Sequence, residues 1–186
     1  MLETSPSLAT GQRSLENPEL EFPLLPVLTT GCPDTSTDDM QYPLEISFDY
    51  QQVDTSVFQQ DPNPGIERWA TLLLPLAPGL SMAEGGTPLH ESVQLGEWAG
   101  LAAPVFIKDE TRNPTWSHKD RLNLCTTSAA ITSGAPGIVV SSSGNHGAAA
   151  AYAARAGLPC IVLTTDDAPP AVQSFLLAYG AAVIGV

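Results

Sequence analysis

Asn113-Pro114-Thr115-Trp116-Ser117-His118-Lys119-Asp120-Arg121 is the stretch whose reading decides the fold. Upstream, the apolar run Val105-Phe106-Ile107 ends in Lys108-Asp109-Glu110 and reads as a strand. Downstream, Leu122 to Ser133 reads as a helix stopped at Gly134. Lys119 therefore opens a helix just after a turn. An ammonium placed there faces the positive end of the helix dipole. That favours the neutral amine on which imine chemistry depends. The plainer reading is a solvated surface lysine, the usual state of that residue type.

A second stretch supplies context. Ile138-Val139-Val140 is β-branched, Ser141-Ser142-Ser143-Gly144-Asn145-His146-Gly147 is a polar turn, and Ala148 to Gly157 is rich in helix formers. Strand, turn and helix in that order leave free N–H groups at the helix start, a ready anion site. Asn145 offers a donor and an acceptor beside it. An ordinary capped helix, with Ser143 or Asn145 as the cap, fits equally well.

From Val105 onward the units alternate. The pattern predicts helix Lys119–Ser133, strand Gly137–Ser141, helix Gly147–Ala156, strand Cys160–Thr164, helix Ala171–Tyr179 and strand Ala182–Val186. Alternation of this kind implies a parallel sheet with flanking helices, an α/β fold. Ligands in such sheets gather at the carboxyl ends of strands. The Lys119 turn and the Ser142–His146 loop are both expected there.

Read together, the motifs resemble the pyridoxal-phosphate enzymes of fold type II, the tryptophan-synthase-β-like superfamily. Pro114 to Arg121 looks like its lysine motif, and Ser142-Ser143-Gly144-Asn145 looks like its asparagine loop. Glu84-Gly85-Gly86-Thr87-Pro88-Leu89 resembles the motif ahead of the first strands. The flavour is most similar to threonine synthase, with Tyr42-Pro43-Leu44-Glu45, Phe48-Asp49-Tyr50 and Arg68-Trp69-Ala70 matching its N-terminal part. The resemblance implies pyridoxal 5'-phosphate as cofactor, held by Lys119 as an imine, with Lys119 later moving protons. It implies Asn145 on the ring hydroxyl oxygen, and Ser142, Ser143 and His146 on the substrate α-carboxylate. The implied reaction converts O-phosphohomoserine to threonine and phosphate. Related dehydratases and β-replacement enzymes share these motifs, and so would a non-catalytic interaction protein of the same descent.

Two substitutions depart from the resembled motif. Trp116 stands where glycine is common, and His118 stands where an aromatic is usual. His118 is either a packing replacement or a second titrating group. His146 likewise replaces a small residue. Asp120 and Arg121 match the motif and read as ion-pair scaffolding. The chain also ends at Val186, before the region where the resemblance places the Gly-rich phosphate cradle and the second half of the large domain. Unpartnered strand edges and apolar faces are expected as a result, along with weak cofactor binding and no turnover by this polypeptide alone.

Domain organisation is read as a disordered lead over 1–37, the lysine-bearing part of the large domain over 38–134, and the start of the small domain over 135–186. Apolar residues make up 43% of the 186, enough for a sizeable core. The net charge of −13 sits mostly in 1–85, which hold 13 acids and 2 basic residues. Such acidity argues against nucleic acid. Neither a P-loop nor a G-x-G-x-x-G pattern is present, so a nucleotide site on the Ser143–Gly147 turn is poorly supported. Cys32, Cys125 and Cys160 lack metal-ligand or disulfide spacing. No apolar run approaches the roughly 20 residues of a membrane span, and no signal peptide is read. The chain is expected to be cytoplasmic and free of metal. Its expected partners are a small amino-acid substrate and either a second copy, as a homodimer, or a complementing C-terminal half.

Overall fold

Three short segments rich in β-branched and small residues form the sheet that places the site. A computed structural model of the protein describes residues 7–61, 65–141, 144–145 and 147–186. In it β6 (Ile138–Ser141), β7 (Cys160–Thr164) and β8 (Ala182–Gly185) lie side by side in that order, all parallel. Ile138 stands opposite Cys160, and Ile161 opposite Ala182. The middle strand buries Cys160, Val162 and Thr164 on one face. Helix α3 (Gly147–Ala156) connects β6 to β7, and α4 (Pro170–Ala178) connects β7 to β8. Small side chains explain how closely α3 packs. Ala148 to Ala153 are all buried, and Ala150 and Ala153 join Val162, Leu176 and Ala181 in one core cluster.

Helix α2 (Lys119–Thr132) packs against α3. Leu124 on α2 and Tyr152 on α3 are fully buried beside Ala70, Leu76, Ala77 and Leu80 in a second cluster. The predicted stop at Gly134 is a full C-terminal cap. Gly134 has φ +67°, its N–H donates to the Ile131 carbonyl, and the Ala135 N–H donates to the Ala130 carbonyl. This is the paired arrangement that a left-handed residue after a helix permits.

Four expectations need correction. Strand β5 (Val105–Lys108) does not join the parallel sheet. It pairs antiparallel with β4 (Leu89–Ser92), the strand just before it in the chain. Leu89–Leu95 reads from the sequence as a strand, but β4 stops at Ser92, because the Ser92 hydroxyl accepts the Leu95 N–H at 3.3 Å and starts helix α1 (Val93–Trp98). Glu67–Leu74, stopped by Pro75, reads from the sequence as a helix; the structure has instead a run of 3-10 turns over Gly65–Leu72. The lead to 37 is not disordered over its described length. There β1 (Ala9–Ser14) pairs antiparallel with both β2 (Glu21–Phe22) and β3 (Leu44–Phe48). Buried Gln12 anchors the Pro23–Leu28 segment: its amide donates to the Pro23 and Pro26 carbonyls and accepts the Leu28 N–H at 2.8 Å. The Val27 N–H reaches Ser133 Oγ, which ties the lead to the end of α2.

The expected exposed apolar faces are present. Leu89, Phe106 and Ile107 on the β4–β5 pair and Val139 on β6 are all open to solvent. No helix among the described residues is long and apolar enough to cross a membrane.

Candidate cofactor site

The lysine turn is held by bonds from its own backbone. Thr115 donates its N–H at 2.8 Å and its hydroxyl at 2.7 Å to the Asp120 carboxyl, which is fully buried in the first turn of α2. Burial pushes the Asp120 carboxyl above its ordinary range, the Thr115 bonds oppose that, and nearby Glu84 adds to it. Ser117 Oγ accepts the Lys119 N–H at 3.1 Å, and the Ser117 carbonyl accepts the Asp120 N–H at 3.1 Å. These bonds occupy donors that a helix start leaves free. Lys119 is the first residue of the helix and is partly buried. His118 precedes it, exposed, and makes no side-chain capping bond.

Asp120 and Arg121 do not pair with each other. Arg121 instead forks onto Glu110, at 2.6 and 2.9 Å. Glu110 also accepts from Thr87 Oγ1 and Asn113 Nδ2, while Asn113 Oδ1 accepts the Gly85 N–H at 3.0 Å. The Glu84–Thr87 loop is thereby stitched to the lysine turn. The Arg121 bonds, with help from Asn113 and Thr87, outweigh partial burial and hold the Glu110 carboxyl down at about 2.

That depression has a sign. A carboxylate whose folded pKa lies below its unfolded value stabilises the fold above the unfolded pKa and stops doing so as pH falls. The loss therefore runs from about 4.5 down to about 2. Because Glu110 and Arg121 keep about a third of their surface in water, the expected loss is about 1–2 kcal/mol. Urea unfolding at pH 7 and pH 3 should show it, and Glu110→Gln should flatten that part of the difference.

Sequence reasoning did not foresee the buried acid beneath the turn. Glu84 is fully buried, and its Oε2 accepts from the Tyr152 hydroxyl at 2.7 Å and from the Met82 N–H at 2.8 Å. Its Oε1 is buried with no hydrogen-bond partner. Burial, then the bond to Glu84, raise the Tyr152 phenol far above its ordinary range, so it stays a donor. Burial, and secondly Glu84, push the Cys125 thiol up to about 11, which makes it an inert thiol at neutral pH. Glu84 and Tyr152 are 68 residues apart, so no local spacing announces the pair.

A cleft of about 240 Å³ opens between the lysine turn, the Asn145 turn and α4. Thr115, Trp116 and Ser117 form one wall, Gly144, Asn145 and Gly147 a second, and Phe175 and Tyr179 a third. The structure brings the turn that leads into Lys119 together with Asn145; Lys119 itself is not in the lining. Ser142, Ser143 and His146 lie outside the described residues. A Cβ at Gly147 would meet Leu176 Cδ2 at 3.1 Å, so a larger residue there would require the buried Leu176 side chain to shift by a few tenths of an ångström. A larger apolar cleft of about 730 Å³, lined in part by Val27, Leu122, Cys125 and Val139, lies on another face of α2. Among the described residues no group of three His, Cys, Asp or Glu side chains is placed to hold a metal ion.

The chain belongs to the pyridoxal-phosphate dependent enzyme family, whose profile matches residues 80–186, more than half of it. Its fold is that of fold type II, and the cofactor of the family is pyridoxal phosphate. Among curated relatives, a threonine synthase of Methanosarcina acetivorans is 33% identical over 122 residues, 64% of this chain and 30% of that protein. A threonine synthase of Synechocystis is 38% identical over 111 residues, 59% of this chain and 29% of that protein. Among solved structures, a pyridoxal 5'-phosphate-dependent aspartate racemase is 32% identical, with a TM-score of 0.50 over 53% of this chain and 32% of that one. The chain thus spans about 30% of the length of the curated relatives it matches.

The residues present fit the ring end of this cofactor. A cleft of this size takes one flat heteroaromatic ring, Asn145 supplies an amide at its wall, and the start of α3 turns toward it. Lys119 opens the helix that follows the Thr115–Ser117 wall.

Proposed function

We propose that this chain carries the cofactor-lysine part of a pyridoxal-phosphate enzyme of the threonine synthase kind, acting on O-phosphohomoserine. The observation that carries the reading is the cleft shared by the lysine turn and Asn145. When bound, the cofactor supplies an electron sink for bonds at the substrate α-carbon. Lys119 holds it and exchanges protons with the substrate. Asn145 fixes the ring plane through its amide, and Ser142, Ser143 and His146 take the substrate α-carboxylate. Thr115, Ser117 and Asp120 orient the helix start from which Lys119 projects.

The threonine synthases named above support this choice over a dehydratase or a β-replacement enzyme. The matched residues make up under a third of those proteins, so the reading expects little or no turnover from these 186 residues alone. It keeps a homodimer or a complementing C-terminal half as the partner, a cytoplasmic setting, and no role for nucleic acid, membrane or metal.

The test is absorbance of the purified chain with added cofactor. After removal of free cofactor, a saturable absorbance band near the visible edge should remain on the chain and be absent in Lys119→Ala, while phosphate release from O-phosphohomoserine stays at background. A band of equal strength in folded Lys119→Ala would overturn the assignment.

A further inference from the structure

Trp116 occupies a backbone position that suits it poorly. Its φ is +59°, the left-handed region in which a large side chain is strained. The turn enforces that conformation: the Trp116 N–H donates to the Asn113 carbonyl at 2.8 Å, and Asp120 grips Thr115 next to it. The indole is 61% exposed, so hydrophobic burial does not account for its placement. What the indole does contact is Phe175 on α4, edge to face, with ring centres 5.2 Å apart and an interplanar angle of 76°. Phe175 is in turn stacked toward Tyr179 at 6.5 Å. All three rings line the cleft.

The aromatic wall sets how much room remains. At about 240 Å³ the cleft lies below the roughly 300–1,000 Å³ usual for small-molecule sites. We propose that Trp116, braced by Phe175, is a specificity-determining residue that limits the amino acid admitted beside the cofactor to one with a slender, unbranched side chain and turns away a ring. This rests on the reading above that the cleft receives pyridoxal phosphate and an amino acid. The exposed outer face of the indole makes the wall removable without opening the core.

The experiment uses the full chain with saturating pyridoxal phosphate. It measures the concentration at which serine or phenylalanine perturbs the Lys119-dependent absorbance band. One methylene misfit is worth roughly tenfold or more, so wild type should favour serine over phenylalanine by at least about tenfold. Trp116→Gly should bring the ratio to within about threefold, through tighter phenylalanine binding, as expected when a steric wall is removed. Trp116→Phe keeps a ring at the wall and should keep most of the preference, and Phe175→Ala should lose part of it. An unchanged ratio in folded Trp116→Gly with its band intact overturns the inference alone. Absence of the band from every variant, wild type included, overturns the cofactor reading and the inference with it.

Discussion

Leu124→Ala should destabilise the protein by about 2–5 kcal/mol, the usual range for truncating a fully buried leucine. Leu124 is enclosed by Leu76, Leu80, Tyr152 and their neighbours, where the Gly65–Leu80 segment, α2 and α3 meet. The cavity left behind can collapse only if α2 shifts toward α3. Lys119 opens α2, and the Asn145 turn leads into α3. The same substitution should therefore weaken cofactor uptake, because it loosens the angle between the two helices that carry the site. Denaturant unfolding followed by circular dichroism measures the first effect, and cofactor titration the second. A loss of under about 1 kcal/mol would show that the two helices are not held through this residue.

Tyr152→Phe is the other large effect. It removes one oxygen from the protein's interior and leaves the Glu84 carboxyl group, fully buried, with only the Met82 N–H bonded to it. One Glu84 oxygen already has no partner. A buried polar group left unpaired incurs its full desolvation cost, about 1–3 kcal/mol. We expect a loss of about 2–3 kcal/mol. Combining Tyr152→Phe with Glu84→Leu should cost less than the sum of the two single changes, since the double variant leaves no buried acid behind. A double-mutant cycle in urea checks this. Additive losses would mean that the 2.7 Å bond contributes nothing through its partner.

These two predictions concern the parts of the molecule that the sequence shows least. The alternating α/β units were legible because each has its own period and its own stop. Helix α3 and strand β7 fall on the residues read from the sequence, and α2 ends at the glycine that marks its cap. Strand partnership was less legible. Val105–Lys108 has the composition of a parallel strand, but composition does not say which neighbour is available, and the preceding strand turned back onto it. The order of the lead is not legible locally because Gln12, a polar residue in a polar stretch, is the buried hub of three hydrogen bonds that reach as far as 16 residues along the chain. Glu84 was seen as part of a loop motif; its burial against Tyr152 is a long-range fact with no local signal. Arg121 was expected to pair locally and instead reaches Glu110, 11 residues back. Trp116 was visible as an unusual residue, but only the backbone angle shows that the turn holds it in a strained conformation.

The same long-range bonds tie the three motifs to one another. The Glu84–Thr87 loop meets the lysine turn through Gly85, Thr87 and Arg121, and meets α3 through Tyr152. Motifs far apart in the chain thereby become one hydrogen-bonded frame around a small cleft.

The central claim is that Lys119 is the lysine chemically presented to the cofactor, and the chain contains a built-in control. Its two lysines are Lys108 and Lys119. Lys108 Nζ donates to the Thr87 carbonyl from the end of β5. Incubation with pyridoxal phosphate, reduction with borohydride and peptide mapping by mass spectrometry would locate the adduct directly. The account predicts the adduct on Lys119, saturating with cofactor, with Lys108 labelled only slowly and without saturation. Equal labelling of the two lysines, or labelling that favours Lys108, would contradict it.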